Sequence, residues 1–286
     1  MMSNAIKKIM VRLFFSICLL AGFTIGGWLL WDSSPRLQEF AKDKLQTSEL
    51  RTLEIRYTAE QVMERHKKDL IKGAGYSFLE PRLLFYPYLM MNTKFTTDQA
   101  HTREGTLLWG MTDGEMVLDT AHWKKTHGFE DCLLSKAGKN DFKILRAIVE
   151  AGGSIDRERL YQKFKTDGEM IDKWINHCRA KNLIVSSGAH YRLHLQNPSL
   201  ENIPITLMHE PLVAHPTRYA VKSKKRYSVS QISKLAHIAF GPDFSIRHME
   251  QIFLPVYSIG VQNPDGSVFV TYWNALNGTR FTQLSP

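Results

Sequence analysis

The densest gathering of reactive side chains lies between Asp119 and Cys132, a stretch that also holds His122, His127 and Asp131. Imidazole nitrogen and thiolate sulfur are zinc ligands, and a zinc site needs three or four of them to converge. The equal steps from His122 to His127 to Cys132 match no standard zinc finger. Trp123, Phe129 and Leu133, set among them, predict a segment packed on its neighbours. Asp113, Glu115 and Asp119 supply carboxylates of the kind used in acid–base chemistry, but on what reads as a solvated hairpin turn. His177 and Cys178 are adjacent, so on a helix they point in different directions and are not expected to act together. GxSxG, HExxH, the phosphate-loop and GxGxxG motifs and paired CxxC are all absent. The sequence therefore assigns no catalytic residue, no cofactor and no metal, and leans away from an enzyme.

What remains is binding chemistry, and its first carrier is the middle of the chain. Asn140 is placed to cap a helix whose apolar residues Phe142, Ile144, Leu145, Ile148 and Val149 fall at helical spacing, ended by Gly152-Gly153. Asp156 precedes a second short helix with Leu160, Tyr161 and Phe164 on one face. A third run carries Met170, Ile171, Trp174, Ile175 and Cys178. The period then changes to two, with Leu183-Ile184-Val185, a Ser186-Ser187-Gly188 turn and Tyr191, Leu193 and Leu195. Three helices followed by a two-stranded wing resemble a winged-helix domain. In that fold the third helix enters the major groove and the wing touches phosphate, so the resemblance makes Lys173, Arg179, Lys181 and Arg192 the nucleic-acid-binding candidates. Glu169 and Asp172 sit at the end that would approach the bases. From Gly138 to Leu200 there are eleven Lys/Arg against seven Asp/Glu, a modest excess for a DNA reader. A protein-binding or architectural role is the favoured expectation, and DNA binding the alternative.

A second carrier is an internal repeat. Tyr57-Thr58-Ala59-Glu60-Gln61-Val62 resembles Tyr227-Ser228-Val229-Ser230-Gln231-Ile232, each opening a helix with a hydroxyl at the cap position. Phe85-Tyr86-Pro87 and Phe253-Leu254-Pro255 follow at similar distances, then Gly105-Thr106-Leu107-Leu108 and Gly266-Ser267-Val268-Phe269, then hairpin turns at Asp113-Gly114 and Asn277-Gly278. The prolines cannot donate to a strand ladder, so Pro87 and Pro255 predict edge strands or bulges. On such edges Phe85, Tyr86, Tyr88, Phe253 and Tyr257 become partner-binding candidates by strand addition, or else core residues behind a protected edge. The second unit, about residues 227–281, also resembles a PepSY domain through Pro264-Asp265-Gly266 and Asn274-Ala275-Leu276-Asn277-Gly278, with Asn274 where that family tends to carry an acid. The resemblance implies an extracytoplasmic module that binds or restrains a neighbour.

These elements are held by an expected membrane anchor. Lys7, Lys8 and Arg12 precede Leu13–Trp31, an uncharged run of nineteen residues closed by Trp28 and Trp31. It is longer than a signal-peptide core and ends without a cleavage signature. Lys/Arg counts on its two flanks tie, while the purely basic tail favours an inside N-terminus and an extracytoplasmic bulk. The formal charge of +9 suits an acidic partner or surface. Arg218, Lys222, Lys224, Lys225 and Arg226 form its densest patch, read as a solvated linker. Cys132 and Cys178 could pair in an oxidising compartment, though nothing demands it. The expectation is an α+β chain: basic tail 1–12, transmembrane helix 13–31, stalk 32–53, a helix-plus-antiparallel-sheet module 54–135, winged helix 138–200, basic linker 201–226 and a similar second module 227–286. Its partners would be the membrane, through a single-pass anchor, and one or more proteins, with nucleic acid only if the bulk faces the cytoplasm.

Overall fold

Two long apolar runs, β3 (Arg82–Thr96) and β12 (Ser245–Gln262), pair antiparallel at the centre of the structure. The structure is a computed structural model, and it describes residues 49–96, 101–195, 199–200, 203–216 and 220–282. The expected tail, the span 13–31 and the stalk to residue 48 lie outside the described residues. Among the described residues no helix is long and apolar enough to cross a membrane.

The fold is α+β. In chain order come β1 (Glu49–Leu53), α1 (Ala59–Arg65), α2 (Lys67–Leu70), β2 (Ser77–Phe78), β3, β4 (Thr102–Gly110), β5 (Met116–Asp119), β6 (Lys124–Lys125) and α3 (Phe129–Leu134). Next are α4 (Lys139–Glu150), β7 (Ser154–Asp156), α5 (Arg157–Phe164), α6 (Gly168–Ala180), β8 (Ile184–Ser187) and β9 (His190–Leu193). The chain closes with β10 (Leu212–Pro216), β11 (Val221–Lys222), α7 (Val229–Phe240), β12 and β13 (Val268–Asn274). The main sheet runs β10-β1-β12-β3-β4-β5-β6, with β11 on β3 and both β2 and β13 on β12.

Phe85 faces Pro255, Tyr86 faces Leu254, and Pro87 faces Phe253. The two Phe-x-Pro triplets thus cross each other at the middle of the sheet, which corrects the expected edge position. Tyr88, Phe85, Tyr86 and Phe253 are buried and Tyr257 is half-buried, so these aromatics fill the core instead of offering a strand edge. Full burial of a side chain such as Phe85 or Phe253 is worth ~1.5–3 kcal/mol. The prolines are tolerated because their missing N–H groups face away from the central pairing. The Pro87 carbonyl accepts Met111 N at 3.1 Å and the Pro255 carbonyl accepts Ala275 N at 3.1 Å, both on the outer side. There the outer partner changes, from β11 to β4 along β3 and from β1 to β13 along β12. Each proline occupies the seam.

The strands before the two helices are exchanged. β1, which leads into α1, lies parallel to β12 with Thr52 opposite Phe253; β11, which leads into α7, lies parallel to β3 with Lys222 opposite Phe85. The last five residues of the expected stalk are therefore part of the sheet. The expected linker is also structured, since Thr206 bonds Leu108 N at 2.8 Å and the Val117 carbonyl at 2.6 Å across the sheet.

Thr58 and Ser228 cap α1 and α7, each with a glutamine three residues on returning the bond. One sheet face carries Leu89, Met91, Leu107 and Trp109 against α3, α4 and α7; the other carries Tyr86, Tyr88, Met90 and Leu108 against Leu53, Trp123 and Phe281. The first core continues unbroken into α5 and α6 through Phe129 and Phe142. Helices α4, α5 and α6 carry a three-stranded sheet of order β7-β9-β8. Helix α4 begins at Lys139, with Gly138 at the cap and Asp141 accepting the Gly138 N–H at 2.8 Å, so Asn140 is not the cap.

Candidate functional site

The loop that gathers histidine, cysteine and carboxylate does not converge on a point. Asp119 accepts from Ala121 N at 2.8 Å and meets His122 Nδ1 at 2.8 Å and His209 Nε2 at 3.4 Å; these contacts, led by His122, hold its carboxyl below the usual range. His127 bridges Ser199 through its backbone, and Cys132 is a buried free thiol whose pKa burial pushes far up. Among the described residues no group of three or more His, Cys, Asp and Glu is placed to hold a metal.

The two hairpin carboxylates are structural and nearly buried. Asp113 pairs with Lys125 at 2.5 Å. Glu115 takes Thr126 Oγ1 at 2.7 Å, Gly128 N at 2.8 Å and Glu130 N at 2.9 Å, which tethers the start of α3. Burial raises the Glu115 pKa in spite of these donors. The solvated turn expected from sequence is instead the clamp that seats a helix.

Helix α6 and its neighbours place the nucleic-acid candidates unevenly. Lys173, Arg179 and Arg192 are exposed. Lys181 is only 21% exposed and is held by the Asp141 carboxylate at 2.8 Å and the Lys136 carbonyl at 2.9 Å. Asp141 also meets His177 Nδ1 at 2.7 Å and Cys178 Sγ at 3.5 Å, so the two adjacent residues that were expected to diverge share one partner. Burial alone would raise the Asp141 pKa, but the Gly138 N–H, Lys181 and His177 together hold it below the usual value. At the other end of α6, Asp172 is gripped by Nε and Nη2 of Arg157 and by Tyr161 Oη at 2.9 Å. Met170 beside it is 47% exposed.

A cleft of about 610 Å³ opens elsewhere, where Arg56-Tyr57, the end of α1, His122, Glu210 and the Asn277-Gly278 turn meet. Arg56 N and Tyr57 N both donate to the Ala275 carbonyl, at 3.0 and 2.9 Å. His66 stacks on Trp273 at 4.2 Å between centroids, and its Nε2 lies 3.0 Å from the Gly278 carbonyl. Arg65 lies over the Tyr57 ring at 5.5 Å. Glu210 has a side chain 2% exposed; its Oε1 meets Arg56 at 3.5 Å, while its buried Oε2 has no hydrogen-bond partner. An unpaired buried oxygen of this kind costs ~1–3 kcal/mol or more.

No family model, no curated protein and no solved structure matches the chain. The site is therefore read from its own geometry. Glu210 and His209 escape sequence reasoning because they fall in a stretch that looks like a basic linker. Their only local signal is a carboxylate beside an imidazole within the apolar-flanked run Ile205–Val213.

Proposed function

We propose that the chain is a non-enzymatic binding or scaffold subunit of a membrane assembly, anchored by residues 13–31 and acting through protein contacts. In this reading the segment built from α4, α5, α6 and β7–β9 is a winged-helix module, bracketed by two related helix-and-sheet units. The observation that carries the reading is the leading end of α6. It presents the exposed Glu169 and Met170, with Asp172 behind them paired to Arg157, a surface that among the described residues has no free cation at its tip and suits a protein better than phosphate. The acids also complement the positive end of the helix dipole, so they stabilise the helix where a DNA reader would need cations. At the opposite end Lys181 is neutralised by Asp141.

The test uses the purified full chain and duplex DNA across a range of salt. The reading expects no salt-dependent retention of DNA. Retention that disappears on replacing Lys173, Arg179 and Arg192 with Ala would instead establish the membrane-tethered DNA regulator. A reporter fused after Pro286 supplies the companion result: activity outside the membrane supports the extracytoplasmic scaffold, and activity inside overturns that orientation.

A further inference from the structure

The two hairpin turns are built by the same bonds, and they differ in what sits on them. Gly114 N donates to the Gly110 carbonyl as Gly278 N does to Asn274, and Gly110 N donates to the Glu115 carbonyl as Asn274 N does to Thr279. The Met111 carbonyl accepts Arg226 N and Tyr227 N, both at 2.9 Å, as the Ala275 carbonyl accepts Arg56 N and Tyr57 N. A Cβ on Gly114 would stand 3.0 Å from the Tyr227 ring, and one on Gly278 would stand 3.3 Å from the Tyr57 ring, so each tyrosine lies on its turn glycine.

On the first turn, α3 completes the arrangement. The Glu130 carboxylate pairs with Arg226 and accepts the Tyr227 hydroxyl at 3.1 Å, while Arg226 lies over the Tyr227 ring at 5.3 Å. Glu115 accepts the backbone N–H groups of Gly128 and Glu130, which fixes the helix that delivers the carboxylate. On the second turn the matching arginine, Arg56, pairs with Glu54 and Glu210 at 3.4 and 3.5 Å, and it is the guanidinium of Arg65, from α1, that lies over the Tyr57 ring. Among the described residues no carboxylate takes Arg65 or the Tyr57 hydroxyl, and the cleft opens there. Glu210, in its lining, pairs with Arg56 through Oε1 at 3.5 Å and keeps a buried Oε2 without a hydrogen-bond partner.

We infer that the cleft is a docking site for an acidic peptide segment, whose carboxylate sits on Arg65 and Tyr57 as Glu130 sits on Arg226 and Tyr227. A charge-assisted pair with arginine plus a phenol hydroxyl recognises a carboxylate in defined geometry, which a screened surface lysine would not. This site is separate from α6, and the inference stands even if the central segment proves to contact DNA.

The probe is a fluorescein-labelled peptide copying residues 128–135 with Cys132→Ser, titrated by anisotropy into the purified full chain. Saturable binding is expected. Replacing the peptide's glutamate with glutamine is expected to weaken it about tenfold, the scale of one charge-assisted pair. Arg65→Gln in the chain should produce a similar loss, and Tyr57→Phe a smaller one. Arg247→Gln, which removes an exposed arginine elsewhere, should leave binding unchanged. Arg65 is exposed, so its variant keeps the test valid if Tyr57→Phe disturbs the turn. The inference is overturned if the peptide does not bind or if its glutamine version binds equally. It is equally overturned if Arg65→Gln has no effect, or if inorganic phosphate displaces the peptide as readily as glutamate does.

Discussion

Replacing Asp141 with alanine tests how the central helices are held together. Its side chain is 1% exposed and gathers Gly138 N, Lys181 Nζ, His177 Nδ1 and Cys178 Sγ. Removing one partner of a buried ion pair costs ~3–5 kcal/mol when the other charge is stranded. Lys181 and His177 keep side-chain exposures of 21% and 58%, so both regain water and the low end applies. The expected loss at pH 7 is about 3 kcal/mol, of which loss of the α4 cap contributes ~1 kcal/mol. The folded-state pKa of Asp141 lies below its ordinary value of 3.8, so its stabilisation is present above that value and is lost as pH falls through the lower folded pKa. The gap between wild type and Asp141→Ala should therefore narrow to about 1 kcal/mol in strong acid, leaving the cap and packing losses. Urea unfolding followed by tryptophan fluorescence at both pH values measures it. A gap below 1 kcal/mol at pH 7, or one that does not change with pH, would refute the reasoning.

Gly110→Ala would place a Cβ 1.9 Å from Asp113 Oδ1, so that carboxylate must swing away and give up Glu115 N and Lys125; a loss of roughly 2 kcal/mol is expected in the same unfolding assay. Pro87→Ala and Pro255→Ala should each cost no more than about 1 kcal/mol, chiefly by loosening the unfolded chain, and a larger loss would contradict the seam position. Glu115→Gln should be tolerated at neutral pH while Glu115→Leu, which strands three donors, should lose ~3 kcal/mol. Because burial raises the folded pKa of Glu115, wild type loses stability as pH rises from the ordinary carboxylate value through that raised pKa. The glutamine variant should gain on it across that window, as paired denaturation curves would show.

Local chemistry was legible in the sequence wherever one segment decides its own structure. The hydroxyls at Thr58 and Ser228, the Asp156 cap and the change from helical to alternating period after Cys178 each act over a few residues, and each element forms at its expected place. The Pro87 and Pro255 reading failed because a missing donor matters only on the side where a partner strand lies, and sequence does not say which side that is. The last five residues of the expected stalk and the described part of the linker were misread for a related reason. Charged, exposed side chains on β1 and β11 conceal backbones that pair far along the chain, Thr52 with Phe253 and Lys222 with Phe85. In the cleft, Tyr57 opens a recognised repeat and Arg56 precedes it, but the meeting with Glu210 depends on long-range folding alone.

The exchanged strands also set a timetable for biosynthesis. β1 and α1 leave the ribosome early, but Thr52 meets its partner Phe253 only after about two hundred further residues, some 10–40 s at ordinary rates of synthesis. Throughout that interval the apolar face of α1, with Val62, lacks the Ile259 and Trp273 surface on which it comes to rest. The first half of the chain is thus a nascent client for chaperones and proteases until the second half arrives. Translation speed near the C-terminus then governs the yield of folded protein, and the two halves should fold when made together as separate polypeptides but not when either is made alone.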